Sequence, residues 1–506
     1  MAKVIFEKIR KHYLIILLTL FLSIGFWILN YNITLPFSGV LYWDYARHFQ
    51  AANIDSPYML PLLIKLYSFV FGTSALAFGY INFLFFTITM VVLYAIIYPL
   101  YGKISALLGV VMFCALPVQA KFFEHLDYHL VVIMLFSFLI LSLTYWQRIQ
   151  TNKHLYLSGI FLGMMLMAQF ESVILAASLM LASFCVKEFR ILWCKPAFYL
   201  SLVIAFCFVV PFLIWQVQHQ WLTLRYLLNS NGTPLDFSGF ISSIWDYLGS
   251  VGLFMLLIIA VLIRTRWLKG LESNSQFFFY LWLFIFVLLS FMFMHNPILH
   301  TTLISANYAL FLFLSATSYR LFPKLTIIST LLSLLVSLVY MTLNMIVSYS
   351  NNYLSFTPLI QPMVKAHTLI ISNVSPFDNS PSWFSITLKD QPPVFALQDE
   401  KINFHNKGNS AVYLWQPPLK QLITEPKWQE VLVLTNTSAL PARLQPYLHC
   451  QSPIPLTITI DVVYSIQQLL KTGKHKEDLT IYAHPCSIKP QHTYPHPPPR
   501  IREGED

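Results

Sequence analysis

Charge is scarce in this sequence. Of its 506 residues only 11% are Asp, Glu, Lys or Arg, while 57% are hydrophobic and the mean hydropathy is +0.61. A water-soluble domain carries roughly 25% charged residues, so an ordinary soluble fold is excluded. Cysteine is sparse as well, six in all, and neither CxxC nor HExxH spacing occurs, which removes the common zinc and thiol-redox motifs. There is no short-period internal repeat. The basic cluster Lys3, Lys8, Arg10 and Lys11 precedes an apolar run, as in a signal peptide. A small-residue cleavage site is missing, however, and Phe26-Trp27-Ile28-Leu29 continues the run, so an uncleaved first span is expected.

A net charge of +10 invites a nucleic-acid reading. Position decides against it, because most Lys and Arg lie in short loops between apolar runs. A helix needs roughly 20 apolar residues to cross a bilayer. Such runs fall near 13–31, 75–99, 104–119, 128–146, 155–170, 172–186, 198–217, 239–263, 276–294, 299–318 and 325–348, about eleven in all. Alternate connections carry Lys103, then Arg148 and Lys153, then Lys187, Arg190 and Lys195, then Arg264, Arg266 and Lys269, then Arg320 and Lys324. Together with the basic N-terminus these fall on one side, which the positive-inside rule makes cytoplasmic. The expected fold is an all-α polytopic membrane protein over 1–350, in the inner (plasma) membrane. Its first external loop is 32–74, amphipathic around Leu60–Val70. A polar, Pro-rich tail follows, read as a small extracytoplasmic α/β domain over 351–490 and a disordered end over 491–506, with Val431-Leu432-Val433-Leu434 as a strand. Cys114, Cys185, Cys194 and Cys207 lie in or beside spans and are expected to be buried apolar residues. Cys450 and Cys486 are the tail's only thiols, and an oxidising exterior permits a disulfide between them.

Ionisable groups at membrane boundaries usually face a cavity. The external ends hold Asp44, Arg47, His48, Asp55, Lys65, Glu124, His125, Asp127, Glu171, His219, Arg225, His295 and His300. This asymmetry points to a site opening outward. On a helix, Asp44, Arg47 and His48 share a face at i, i+3 and i+4. Asp44 then reads either as a general base or as a solvated carboxylate paired with Arg47. Asp127, in Glu124-His125-Leu126-Asp127-Tyr128, reads either as a second functional carboxylate, for an acceptor or a cation, or as the N-cap of the next helix. Arg225 ends the segment Trp215–Arg225, which includes His219. Its planar guanidinium suits a phosphate, and equally a lipid headgroup.

These segments, in this order over roughly residues 10–320, resemble the polyprenyl-phosphate-dependent glycosyltransferases of the GT-C fold. The resemblance is to the bacterial branch with aminoarabinose-to-lipid-A transferases and protein O-mannosyltransferases. Asp44-Tyr45-Ala46 is similar to the family's Asp-Glu-Ala-type motif, and Asp55-Ser56-Pro57-Tyr58 to its Asp-x-Pro-Pro segment. Pro61–Gly72 resembles its juxtamembrane helix, and Leu126-Asp127-Tyr128 its second acidic motif. Gly159–Glu171 resembles a Gly-rich span ending in Ser-Lys-Tyr, and Trp215–Arg225 a Trp-Asn-x-Gln-His-x-Trp-x-x-x-Arg pattern. Tyr45 stands where the family has Glu, and Gln169 where it has Lys.

The resemblance implies inverting transfer of a sugar from a polyprenyl-phosphate donor to a lipid, glycan or protein acceptor on the outer face. Asp44 and Asp127 would be catalytic. Arg47, His48, Asp55, Lys65, Glu124, His219 and Arg225 would bind substrate. A divalent cation is the one candidate cofactor. Membrane lipids are expected partners and nucleic acid is not. The rival reading is a transporter or flippase for a small or lipid-linked solute, for which broken mid-bilayer helices and inverted repeats are the expected marks. The sequence shows neither mark. The topology makes a direct prediction: reporter fusions at Ser350 and Thr151 should report outside and inside respectively. The same compartment for both would overturn it.

Overall fold

The computed structural model describes residues 37–53, 56–72, 75–116, 128–225, 254–265, 270–293, 303–347, 353–373, 394–396, 428–462 and 475–489, with a few isolated positions besides. The expected first span and the end after 490 lie outside these residues, as do Asp55, Glu124 and Asp127.

Two helices make up most of the described part of the first loop, α1 (Phe37–Arg47) and α2 (Met59–Phe71). The amphipathic reading of α2 needs a correction: Met59, Leu60, Ile64 and Tyr67 are buried, but the exposed face, with Leu66, Phe69, Val70 and Phe71, is apolar as well. The bundle continues with α3 (Ala75–Tyr101), α4 (Lys103–Cys114), α5 (Tyr128–Ile149), α6 (Asn152–Leu166) and α7 (Ser172–Cys185). A short α8 (Lys187–Arg190) and a 3₁₀ turn (Ile191–Cys194) follow α7 at a bend of 111°. Then come α9 (Pro196–Gln218), α10 (Phe254–Arg264), α11 (Ser273–Phe293), α12 (Leu303–Leu321), α13 (Pro323–Val347) and α14 (Tyr353–Ile360). Helices therefore occupy the expected span positions that lie within the described residues. Among those residues four helices are long and apolar enough to cross a membrane, or up to five if the bent pair is one span. The chain is a multi-pass membrane protein.

Inside lipid every polar group needs a partner from the protein itself. The buried hydroxyls of Thr89, Thr144, Thr317 and Ser318 accordingly donate to the carbonyl one turn back in their own helices. α6 packs closely on α9. Gly159 and Gly163 share one face of α6, and α9 lies so near that a side chain would not fit. A Cβ on Gly163 would sit 2.8 Å from the Ala205 carbonyl oxygen, and one on Gly159 would collide with the Ser201 backbone. Small residues one turn apart are the usual device for such contacts in membranes.

The expectation for the cysteines needs a correction. Cys114 is buried, but Cys185, Cys194 and Cys207 are exposed. Cys207 lies on α9, whose Val203, Phe206, Ile214 and Val217 are also exposed. An apolar side chain is at home against lipid tails, so hydrophobicity in a membrane helix does not imply burial in protein.

Among the described residues the tail carries a six-stranded sheet in the order β2-β1-β3-β6-β4, with β5 also on β6. The strands are β1 (Thr368–Asn373), β2 (Val394–Ala396), β3 (Glu430–Thr435), β4 (Leu448–Cys450), β5 (Ile454–Val462) and β6 (His475–Ile488). β1 pairs in parallel with β2 and β3, and β6 is antiparallel to β3, β4 and β5. β3 is buried on both faces, which explains its continuous apolar run. Leu369, Ile371, Val431 and Val433 form one core, while Ile370, Leu432 and Leu434 on the opposite face join the core of the helical bundle. Cys450 and Cys486 are cross-strand partners on β4 and β6 and are disulfide-bonded, as the tail's cysteine pair foretold.

The α6–α9 contact yields a prediction. Alanine at an open helical glycine gains up to about 1 kcal/mol in helix propensity, but overpacking against backbone costs about 1–3 kcal/mol. Gly159→Ala should therefore lower the Tm of the purified protein, while Gly270→Ala, which meets nothing closer than 3.9 Å, should not. An unchanged Tm for Gly159→Ala would show that the helices part freely.

Candidate functional site

The site is built from the C-terminal end of α1, the loop 49–58, α2, the start of α5 and the end of α9. α1 places Asp44 one turn before His48, whose backbone N–H donates to the Asp44 carbonyl at 3.0 Å. The Asp44 side chain is buried, with the residue only 3% exposed, which decides against a solvated surface carboxylate. Its Oδ1 lies 3.8 Å from Nε2 of His48. Burial and the neighbouring Arg47 charge lower the His48 imidazole from 6.5 to about 4, so near neutral pH Asp44 faces an uncharged ring. Burial also lowers the Arg47 guanidinium from its ordinary value, and the Asp44 charge opposes that. Arg47 lies over the Trp43 ring, 4.7 Å from its centroid.

Lys65 on α2 reaches back over the Phe49 ring, with Nζ 5.2 Å from the centroid. The loop itself is tight: Ala52 and Pro57 form a bridge, and the Asn53 N–H donates to the Ser56 carbonyl. Tyr58 Oη donates to the Phe208 carbonyl on α9 at 2.8 Å, and the Met59 N–H to the Met167 carbonyl after α6 at 2.9 Å.

The end of α9 docks on the same loop. Trp215 Nε1 donates to Gln50 Oε1 at 3.1 Å, and His219 stacks on Trp215 with centroids 4.0 Å apart. Past the helix end, Gln220 and Trp221 adopt φ of 53° and 59°. Left-handed non-glycine residues cost of order 1–3 kcal/mol each and persist only where neighbours over-determine them. Here the Trp221 N–H donates to the Gln216 carbonyl at 2.7 Å, and the Arg225 N–H to the Trp221 carbonyl at 2.9 Å. Arg225 is exposed at the end of this turn.

Of the residues expected from sequence, Asp44, Arg47 and His48 are contiguous, and Lys65 joins them through Phe49. His219 and Arg225 belong to a turn fixed to the same loop. The structure gives no direct contact between Asp44 and Arg225. Asp127 itself is outside the described residues, but the next residue, Tyr128, packs edge-on against Tyr42, with centroids 6.0 Å apart. The start of α5 thus lies beside the helix that carries Asp44.

A second polar cluster pairs Glu171, one of the ionisable groups at the external ends, with His129, which the sequence reading did not single out. His129 Nε2 is 3.8 Å from Glu171 Oε2, and with Gln169, Ser172 and Ser305 the pair lines a small cavity. The signal was Gln169, Glu171 and Ser172 within an apolar stretch. For a divalent cation, the described residues bring together only Asp44 and His48 at this end of α1, and no group of three His, Cys, Asp or Glu converges among them.

Comparison with known proteins adds one finding at this point. Residues 55–215 match the family model of dolichyl-phosphate-mannose-protein mannosyltransferases. The resemblance to glycosyltransferases carried by the motifs therefore recurs in the family match. The matched segment takes in Lys65, Gln169, Glu171 and Trp215; Asp44, His219 and Arg225 lie outside it. Among curated proteins none matches the sequence significantly. Two solved structures are similar in shape. One is ArnT from Cupriavidus metallidurans in the apo state, with TM-score 0.48, 10% identity, and coverage of 93% of this chain and 97% of that one. The other is the Archaeoglobus fulgidus oligosaccharyltransferase, with TM-score 0.42, 11% identity, and coverage of 83% of this chain and 67% of that one.

The His48 shift makes stability depend on pH. Above pH 6.5 the ring is neutral whether the chain is folded or unfolded, and contributes nothing. Between 6.5 and about 4 the unfolded chain takes up a proton that the native site excludes, so stability falls as the solution is acidified through that window. His48→Gln should flatten this part of the Tm-against-pH curve. An identical acid limb in the variant would refute the assignment.

Proposed function

We propose that this chain is an integral membrane glycosyltransferase that moves a sugar, with inversion, from a polyprenyl-phosphate donor to a lipid, glycan or protein acceptor at the outer face. The observation that carries the reading is the buried Asp44 carboxylate, 3% exposed, beside His48 and on the helix that leads into the loop to which the Arg225 turn is fixed. The match of residues 55–215 to a mannosyltransferase family supports the reaction class. The Cys450–Cys486 disulfide supports an oxidising, extracytoplasmic setting for the tail, and the alternating basic loops support a cytoplasmic N-terminus.

In this reading Asp44 accepts the proton of the acceptor hydroxyl. The oxygen attacks the anomeric carbon on the face opposite the phosphate. The bond between that carbon and the phosphate oxygen breaks, and polyprenyl phosphate departs with the electron pair. A phosphate leaving group needs little protonation, so cationic stabilisation suffices on that side. Arg225, with His219 and Lys65, supplies it electrostatically. Asp127 orients the acceptor, and Arg47 holds the charge balance around Asp44.

The test uses cells lacking the gene, complemented with wild type or variants, and mass analysis of their envelope glycans and lipid A. Asp44→Asn keeps the shape and removes the base, so transfer should drop by about 10²–10⁴ while the protein level is maintained. Arg225→Lys keeps the charge but loses the planar fork, and should weaken donor use. Transfer by Asp44→Asn at the wild-type level would remove it as the base, and solute flux by that variant would favour the transporter.

A further inference from the structure

The turn that carries Arg225 is strained, yet its side-chain anchors lie inside the protein. Gln216 and Thr223 are each 1% exposed, and Asn53 is 3% exposed. Gln216 Nε2 donates to Thr223 Oγ1 at 2.5 Å, and Thr223 Oγ1 donates in turn to the Asn53 carbonyl at 2.9 Å. One hydroxyl thus ties the last turn of α9, the turn after it and the first external loop into a single chain of hydrogen bonds. Gln216 and Thr223 flank the left-handed pair Gln220 and Trp221. A side chain of similar shape without the hydroxyl would leave the Gln216 amide and the Asn53 carbonyl without this contact.

The geometry points to Thr223 as a positioning residue: the Gln216–Thr223–Asn53 latch holds the Trp221–Arg225 turn in its strained conformation, so that Arg225 meets the phosphate of the lipid-linked donor on the same loop that follows Asp44. This assignment rests on the function proposed above. The Trp215–Gln50 bond is a second tie between the same two segments. It lies before the strained pair and cannot fix the position of Arg225 by itself. The latch acts only through Arg225 and makes no contact with reacting atoms.

The experiment uses the full chain in nanodiscs, as wild type, Thr223→Ser and Thr223→Val. Two quantities are measured: amide hydrogen exchange over 219–225, and binding of decaprenyl phosphate followed by tryptophan fluorescence. Thr223→Val should speed exchange in that segment and weaken decaprenyl phosphate binding about tenfold, the scale of a buried hydrogen bond left unmade. Thr223→Ser, which keeps the hydroxyl, should stay close to wild type in both. Unchanged exchange in Thr223→Val would overturn the latch. Faster exchange with undiminished binding would overturn the positioning role. A wild type that does not bind decaprenyl phosphate would overturn the proposed function and the positioning role with it, while the exchange measurement would still judge the latch.

Discussion

A peptide group in hydrocarbon has no water to turn to, and most of this architecture answers that constraint. It forces the long apolar segments into helices, which satisfy their own backbones. It makes buried serines and threonines bond back to their own helix, as Thr144 does to Ile140. With lipid no less apolar than leucine, it also leaves close packing of small residues to hold helices together, as Gly159 and Gly163 do against α9. Polar chemistry is then displaced to the ends of the bundle, where loops can satisfy it. The candidate site forms there, on the loop between α1 and α2 and at the last turn of α9.

Local pattern was enough for much of this. Alternating basic loops and apolar runs located the helices, and the i, i+3, i+4 spacing of Asp44, Arg47 and His48 anticipated a shared face. The run Val431–Leu434 announced a strand. Two thiols in an otherwise cysteine-free tail announced their pairing.

What the sequence could not reveal depends on distant partners. The burial of Asp44 follows from how α1 is covered by other elements, and no local spacing encodes that. The contact from Thr223 to Asn53 joins residues 170 apart, and each reads in isolation as an ordinary polar loop residue. His129 lies 3.8 Å from Glu171 on another element, a contact between distant positions that no local pattern announces. The exposed Cys207 was misjudged for a different reason: composition measures affinity for an apolar medium, and lipid and protein interior are both apolar media.

The sheet has one more consequence. β6 follows every other described strand, yet β3, β4 and β5 all pair with it. Until it is delivered, β4 and β5 have no partner among the described strands, and β3 lacks one of its two. The earlier strands must wait with open edges, the very feature that invites pairing with other chains. Among the described strands the sheet closes only when its last one has been made, so its assembly depends on the most C-terminal strand.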